Sequence, residues 1–342
     1  MNLFKAELRR IVRRRLSLIF GILVVAAVLV VSVVTFFSSS KGPTESALAE
    51  AQAQADAMNA EYHGEYAECM ADEAFFEGPG WEWTAEEPGF EELTQQERCE
   101  WYVGSPGYTA EDFLWSYTFD LSEEGVVMLI GLAIVAGLVM MLLASSAIGA
   151  EWSSGGMSNL LVWHPNRLRV WGVKLAASCA VCAAVVIGVL ALAFGLLFVA
   201  AAARGEVGTL DAAWWEETLQ VLGRTVALTL GMTVLGASLA MLGRHTAIAG
   251  GVIAGYLIVG DMLVRVAGMA LRMPFPDRLS LYTWVTAWVN GRIELYDWSA
   301  SNFDGTADIM VIKATEAGLL LGAVVLGFAL LATLVFRRRD VG

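Results

Sequence analysis

The sequence predicts an all-α integral membrane protein with six transmembrane helices, both termini cytoplasmic, and a helical extracellular insert between the first two spans. Three observations carry this reading. Hydrophobic residues make up 57% of the 342 positions and charged ones 17%, with mean hydropathy +0.59. A soluble domain is about 45–50% apolar and about 25% charged. Five stretches without an ionisable side chain, 16–37, 125–150, 175–203, 225–242 and 317–336, approach or exceed the ~20 residues that span a bilayer core, and a sixth, 246–260, continues past Asp261 to Val264. Finally, the basic groups of the N-terminus, of the loop with Arg167, Arg169 and Lys174, of the turn at Arg244 and of the "FRRRD" end fall on one side if the spans number six, and that side is cytoplasmic by the positive-inside rule.

Residues 1–15 open with Lys5, Arg9, Arg10, Arg13, Arg14 and Arg15 against one acid, Glu7. Leu3, Phe4, Leu8, Ile11 and Val12 recur at roughly helical spacing, as in an interfacial helix on the inner leaflet. Arg14 and Arg15 rotate back towards that apolar arc, so a simple charge anchor is an equal alternative. The first span, 16–37, is longer than the ~7–15 residues of a signal core, and "SVVTFFSSSK" offers no small-x-small cleavage site, so it is expected to stay.

Residues 38–124 hold 21 acidic side chains and two basic ones, Lys41 and Arg98, a net −19 that leaves the rest of the chain at +6. An acidic external domain over a basic cytoplasmic rim suits a cytoplasmic membrane, and nothing points to nucleic acid. Pro43 and Thr44 start a helix whose Leu48, Ala51, Ala55, Met58 and Tyr62 form a narrow stripe, expected to pack onto its own domain, with a dimer seam as the alternative. "EGPGWEWTAEEPGF" and "VGSPGY" are turn clusters. Cys69 and Cys99 share this domain and are expected to form a disulfide, worth about 2–4 kcal/mol. Cys179 and Cys182 lie in an apolar helix without a second pair or a nearby His, and are expected to serve packing. Trp81, Trp83, Trp101 and Trp115 leave open whether the domain attracts a cationic amphiphile or is a soluble cap held off anionic lipid.

Within 125–342, the segment 268–308 forms an external aromatic hairpin. Tyr282, Trp284, Trp288, Tyr296 and Trp298 suit a membrane–water interface, and "LSLYTWVTAWV" is apolar enough to dip into the outer leaflet. Trp214 and Trp215 mark the same interface. Asp261 and Arg265, four apart near the outer end of the fifth span, could pair; Arg224 in the fourth is expected to snorkel. Two related halves or mid-span carboxylates, the marks of a proton-coupled transporter, are not evident. Nor does the sequence contain H-E-x-x-H, G-x-S-x-G or G-x-x-x-x-G-K-[ST], and its histidines are His63, His164 and His245. No catalytic, metal or nucleotide site is therefore expected in this chain.

The cytoplasmic loop 149–174 interrupts two apolar spans with "GAEWSSGGMSNLLVWHPNRLRVWGVK". "SSGG" ends a helix, and Met157, Leu160 and Leu161 at i, i+3 and i+4 give one or two amphipathic turns before His164-Pro165-Asn166. On these residues alone, a partner-binding helix and a helix lying in the headgroups are equally good readings.

The loop resembles the first cytoplasmic loop of ABC type-2 transporter permeases, in particular exporter subunits of the actinobacterial type. The resemblance rests on an acid (Glu151), a small-residue turn (Gly155, Gly156), a short Leu-rich coupling helix (159–163), Pro165 with Arg167, and Lys174 entering the next span. The basic N-terminus, six spans, "GRHTAIAGGVIAGY", the aromatic hairpin and the "FRRRD" end are similar too; the acidic insert 38–124 departs from the family's short first external loop. What the resemblance implies is a plasma-membrane exporter permease that homodimerises and binds two copies of a separate ABC ATPase, which would carry ATP and Mg; this chain would hold no cofactor. Asn159 falls in the coupling helix, Leu160, Leu161 and Trp163 would be apolar anchors, and Glu151, Arg167 and Arg169 polar partners or orienters. The substrate would be a drug, a peptide antibiotic or a lipid-like molecule. A membrane sensor signalling through this loop is the alternative, and a membrane enzyme the weakest reading.

Overall fold

The computed structural model describes residues 3–72, 74–76, 81, 90–104, 107–114, 117–297 and 307–338. Trp83, Trp115, Trp298, much of both Gly/Pro turn clusters and the final Arg339-Asp340 lie outside the described residues. The chain divides into two compact units, Ser38–Thr118 and the remainder. Among the described residues six helical segments are long and apolar enough to cross a membrane.

In the larger unit, helix α1 (Leu3–Val12) runs along the third span. Its inward face is Phe4, Glu7 and Ile11, so it is a packed element and not only a charge anchor. Arg13 and Arg14 form the corner, closed by the Ser17 hydroxyl donating to the Ile11 carbonyl, and the first span, α2 (Arg15–Ser38), follows.

The insert unit Ser38–Thr118 has its own construction. Thr44 caps α3 (Glu45–Ala71), its hydroxyl accepting the Ala47 N–H, which satisfies one of the helix's unpaired donors. Ala51, Ala55, Tyr62 and Cys69 face inward, whereas Leu48 and Met58 are exposed. Helix α4 (Gln95–Val103) starts with a Thr94/Glu97 capping box, and Cys69 is bridged to Cys99. Beside the bridge Phe76, Trp81, Phe90 and Tyr102 pack edge to face at 4.9–5.9 Å. The chain enters and leaves through paired segments, with Ser40 N–H donating to the Tyr117 carbonyl and the Thr118 hydroxyl to that of Ser40. The unit ends at Thr118, six residues before the sequence-based boundary, because Phe119 and Leu121 are fully buried in the membrane unit's core.

The second span, α5 (Gly125–Ser153), leads through α6 (Gly156–Trp163) into the third, α7 (Arg167–Arg204), and the fourth is α8 (Ala212–Gly243), capped by Asp211. α7 and α8 start 8 and 13 residues earlier than their apolar runs, since charged side chains are tolerated on the first turns near the interface. Small residues let α5 and α8 approach closely, with Gly137 against Thr229 and Gly236 against the Met141 carbonyl. Cys179 and Cys182 are free thiols; Cys182 is buried and donates to the Thr229 carbonyl at 3.6 Å.

The fifth span joins α9 (Thr246–Gly255) to α10 (Asp261–Ala270) through a π-helical turn at Tyr256–Gly260. Next come α11 (Leu281–Asn290) and two strands that the sequence did not suggest, β1 (Arg292–Asp297) and β2 (Asp308–Lys313). They pair antiparallel from Arg292↔Lys313 to Asp297↔Asp308. Alternation turns Leu295 and Ile312 inward onto Ala287 and Ala317, with Trp284 and Trp288 around them. The sixth span, α12 (Ala314–Arg338), follows directly.

Candidate functional site

The candidate site lies at the end of the bundle that carries α1, the α5–α7 connection and the last turn of α12. Gly155, at φ +70°, makes the left-handed turn between α5 and α6, a conformation that costs a glycine nothing. Met157 then enters the bundle at 0% exposure. It packs in a cluster with Ala144 and Ile148 of α5, Trp171 of α7, Met241 of α8, Ala249 of α9 and Phe336 of α12. Leu161, one turn on, packs against the same cluster, and Leu160 is half-buried.

Of the sequence-predicted anchors, Leu160 and Leu161 are half-buried and Trp163 is exposed. Leu161 faces the protein, because a short helix beside a bundle buries the i, i+4 pair Met157 and Leu161 first. The outward apolar surface is instead Val162 and Trp163, each 78% exposed, with Leu168 beyond the turn. Asn159, Pro165 and Arg169 are exposed around it. Asn166 caps α7 by accepting the Arg169 N–H at 3.0 Å.

Two of the expected polar residues, Arg167 and Glu151, are tied into the bundle. Arg167 donates through Nη1 to the Phe336 and Arg337 carbonyls at 3.2 and 3.4 Å, a cation at a helix C-terminus where the dipole favours it. Trp171 Nε1 donates to Thr333 Oγ1 at 2.9 Å, a second tie from α7 to α12. Glu151 is buried: its Oε2 lies 2.6 Å from Lys174 Nζ and its Oε1 3.0 Å from Arg10. The Oε2 contact is ionic and off hydrogen-bond alignment. Lys174, itself 3% exposed, also donates to Glu7 Oε1 at 2.8 Å. Two buried carboxylates are thus neutralised by buried Lys174 and by the half-exposed Arg10, the condition under which buried charges are tolerated. A cleft of about 250 Å³ adjoins this network, with Arg10, Arg14 and Ser154 among its walls.

At the end of α5, the Trp152 indole N–H points to Met241 sulfur at 3.3 Å, and the ring meets Phe336 edge-on at 6.1 Å. The Arg244 guanidinium covers its face at 4.9 Å, a cation–π contact. Sequence reasoning missed Glu7 as the partner of Lys174 and Val162 as part of the outward face. The first had one signal, since Glu7 sits three and four residues from Phe4 and Ile11 and therefore on the buried face of α1.

The site is a rigid junction that presents an apolar knob. A family model described as ABC-2 family transporter protein matches residues 1–341. The match, with six spans, defines a multi-pass membrane permease component of a transport system. The chain belongs to the ABC-2 transporter family, and membership implies pairing with an ABC ATPase subunit. Comparison with curated proteins and with solved structures returned no match.

Proposed function

We propose that the chain is the permease of an ABC exporter and that α6 is its coupling helix. A separate ATPase, holding ATP and Mg, docks on Val162 and Trp163, with Asn159 and Arg169 at the rim. The observation that carries this reading is the two-sidedness of α6: Met157 is wholly buried while Trp163, two turns away, is 78% exposed. An exposed Trp on a rigid helix is the kind of anchor that interfaces use. Force applied there reaches five of the six spans, since the cluster holding Met157 draws on α5, α7, α8, α9 and α12.

This end is taken as cytoplasmic because it carries Lys5, Arg9, Arg10, Arg13, Arg14, Arg15, Arg169, Arg244 and Arg338, whereas Glu123, Glu124, Asp211, Glu216, Glu217 and Glu316 lie at the opposite helix ends. By the positive-inside rule we take Ser38–Thr118 to be extracellular and the membrane to be the plasma membrane. Two permeases with two ATPases would complete the exporter; export and a drug, peptide antibiotic or lipid-like substrate rest on the family resemblance.

Co-purification tests the proposal. The tagged chain is extracted in mild detergent and its companions identified, beside a Val162→Asp/Trp163→Asp variant. An ABC ATPase retained by the wild type and lost from an equally stable variant is the expected result. Retention by both forms would move the docking surface elsewhere, and absence from both would remove the engine from the reading.

A further inference from the structure

At the end of the bundle opposite α1, the first turns of α12 form one wall of an open groove of about 780 Å³. Leu319, Leu320, Ala323 and Val324 follow Glu316 at i+3, i+4, i+7 and i+8, so the five share one face of the helix. That face descends about 12 Å from Glu316 into the span. Arg278 and Trp284 stand across from it. The Trp284 indole N–H donates to the Arg278 carbonyl at 2.8 Å, which fixes the ring beside the groove. Leu319 is 76% exposed. The Arg278 and Glu316 side chains are both exposed, and among the described residues neither makes an ion pair.

We propose that this groove holds one phospholipid of the surrounding leaflet with a primary-amine head group, phosphatidylethanolamine. One acyl chain lies along α12, the phosphate meets Arg278 and the ammonium meets Glu316. A sideways-open apolar groove at hydrocarbon depth takes a lipid chain, because water there forfeits its hydrogen bonds. The guanidinium fork matches phosphate oxygens in pairs. A carboxylate accepts N–H bonds from a primary ammonium, and a trimethylammonium offers none. The two opposite charges at the mouth complement a zwitterion, whereas a net-anionic head group would meet Glu316 as a like charge. Trp284 stands at the level where indoles favour the membrane interface.

The test presents the full chain to vesicles of phosphatidylethanolamine, phosphatidylcholine and phosphatidylglycerol in equal parts. Native mass spectrometry then counts the lipid retained. One charge-assisted hydrogen bond corresponds to about tenfold in affinity. The wild type therefore retains the ethanolamine lipid about tenfold over the choline lipid. Glu316→Ala abolishes that preference, Arg278→Ala lowers retention of both about tenfold, and Ala323→Trp, which fills the groove without altering charge, expels lipid. All three positions face outward, and an unchanged thermal midpoint confirms that each variant is folded. Equal retention of the ethanolamine and choline lipids, preference for the glycerol lipid, or indifference to the variants would overturn the proposal. So would crosslinks from position 323 to a second copy of the chain.

Discussion

Lys174 Nζ lies 2.6 Å from Glu151 Oε2 and the two side chains are 3% and 7% exposed, an ion pair joining the start of the third span to the end of the second. Glu7 completes it from α1. Removing the shared cation leaves buried Glu7 without a counter-charge and Glu151 with Arg10 alone, so Lys174→Met is expected to cost about 3–5 kcal/mol. A Glu7→Leu/Glu151→Leu/Lys174→Met variant removes the charges together and lies well above the single variant, because Arg10, half-exposed, can turn to water. Thermal unfolding in detergent measures both. A triple variant as unstable as Lys174→Met would show that the network does more than neutralise itself.

The two faces of α6 separate stability from docking. Met157→Ala empties a fully packed site and is expected to cost about 2–5 kcal/mol. Trp163→Ala removes a side chain 78% exposed and falls within about 0.5 kcal/mol. Equal losses in a melting experiment would mean that Trp163 is packed in the membrane-bound protein.

Asp261 acts as a latch between the fifth span and α11. It accepts the Ser280 hydroxyl at 2.6 Å and Arg265 Nη2 at 2.7 Å, holding the start of α11 to the residue after the π-helical turn. Asp261→Ala removes hydrogen bonds to a charged acceptor worth about 1.5–3 kcal/mol. Amide exchange in 280–290 should then accelerate by roughly tenfold or more, with the α5–α8 core unaffected. Exchange that rises everywhere alike would replace a local latch with a global destabilisation.

The α5–α8 contact makes a packing test. A Cβ built on Gly137 would sit 2.5 Å from Thr229 Cγ2 and 2.9 Å from its Cβ. Gly137→Ala is therefore expected to destabilise by about 1–3 kcal/mol through overpacking. Adding Thr229→Ala recovers part of the loss by removing the nearer methyl. A neutral Gly137→Ala in the melting assay would mean that the two helices sit further apart than described.

Much of this was legible because hydrophobic length is a local property. Apolar runs located six spans, and Gly155-Gly156 before Met157 located α6. The Thr44 cap and the pairing of Cys69 with Cys99 were readable from the residue types and the compartment they imply. What escaped depends on partners far away in sequence. Glu7 and Lys174 are 167 residues apart, and no periodicity in either helix names the other. The strands "RIELYD" and "DIMVIK" alternate as strands should, but ten residues separate Asp297 from Asp308, where hairpin loops usually run 2–5. The direction of Leu161 escaped for another reason: an eight-residue helix shows which residues are apolar, while the bundle decides which of them it takes.

The ties that set the α5–α7 connection also order its assembly in time. Glu7 belongs to the first helix made, and Thr333, Phe336 and Arg337 to the last; Lys174, Trp171 and Arg167 wait between them. A nascent chain halted before α12 is inserted has Lys174 already paired, but Arg167 and Trp171 still lack their partners. Its 155–166 segment should be cut by added protease, and the cleavage should fade as the final span enters. On the docking role proposed for α6, competence then becomes a signal of completion: a partner that reads the finished surface would engage only permeases in which α12 has been inserted.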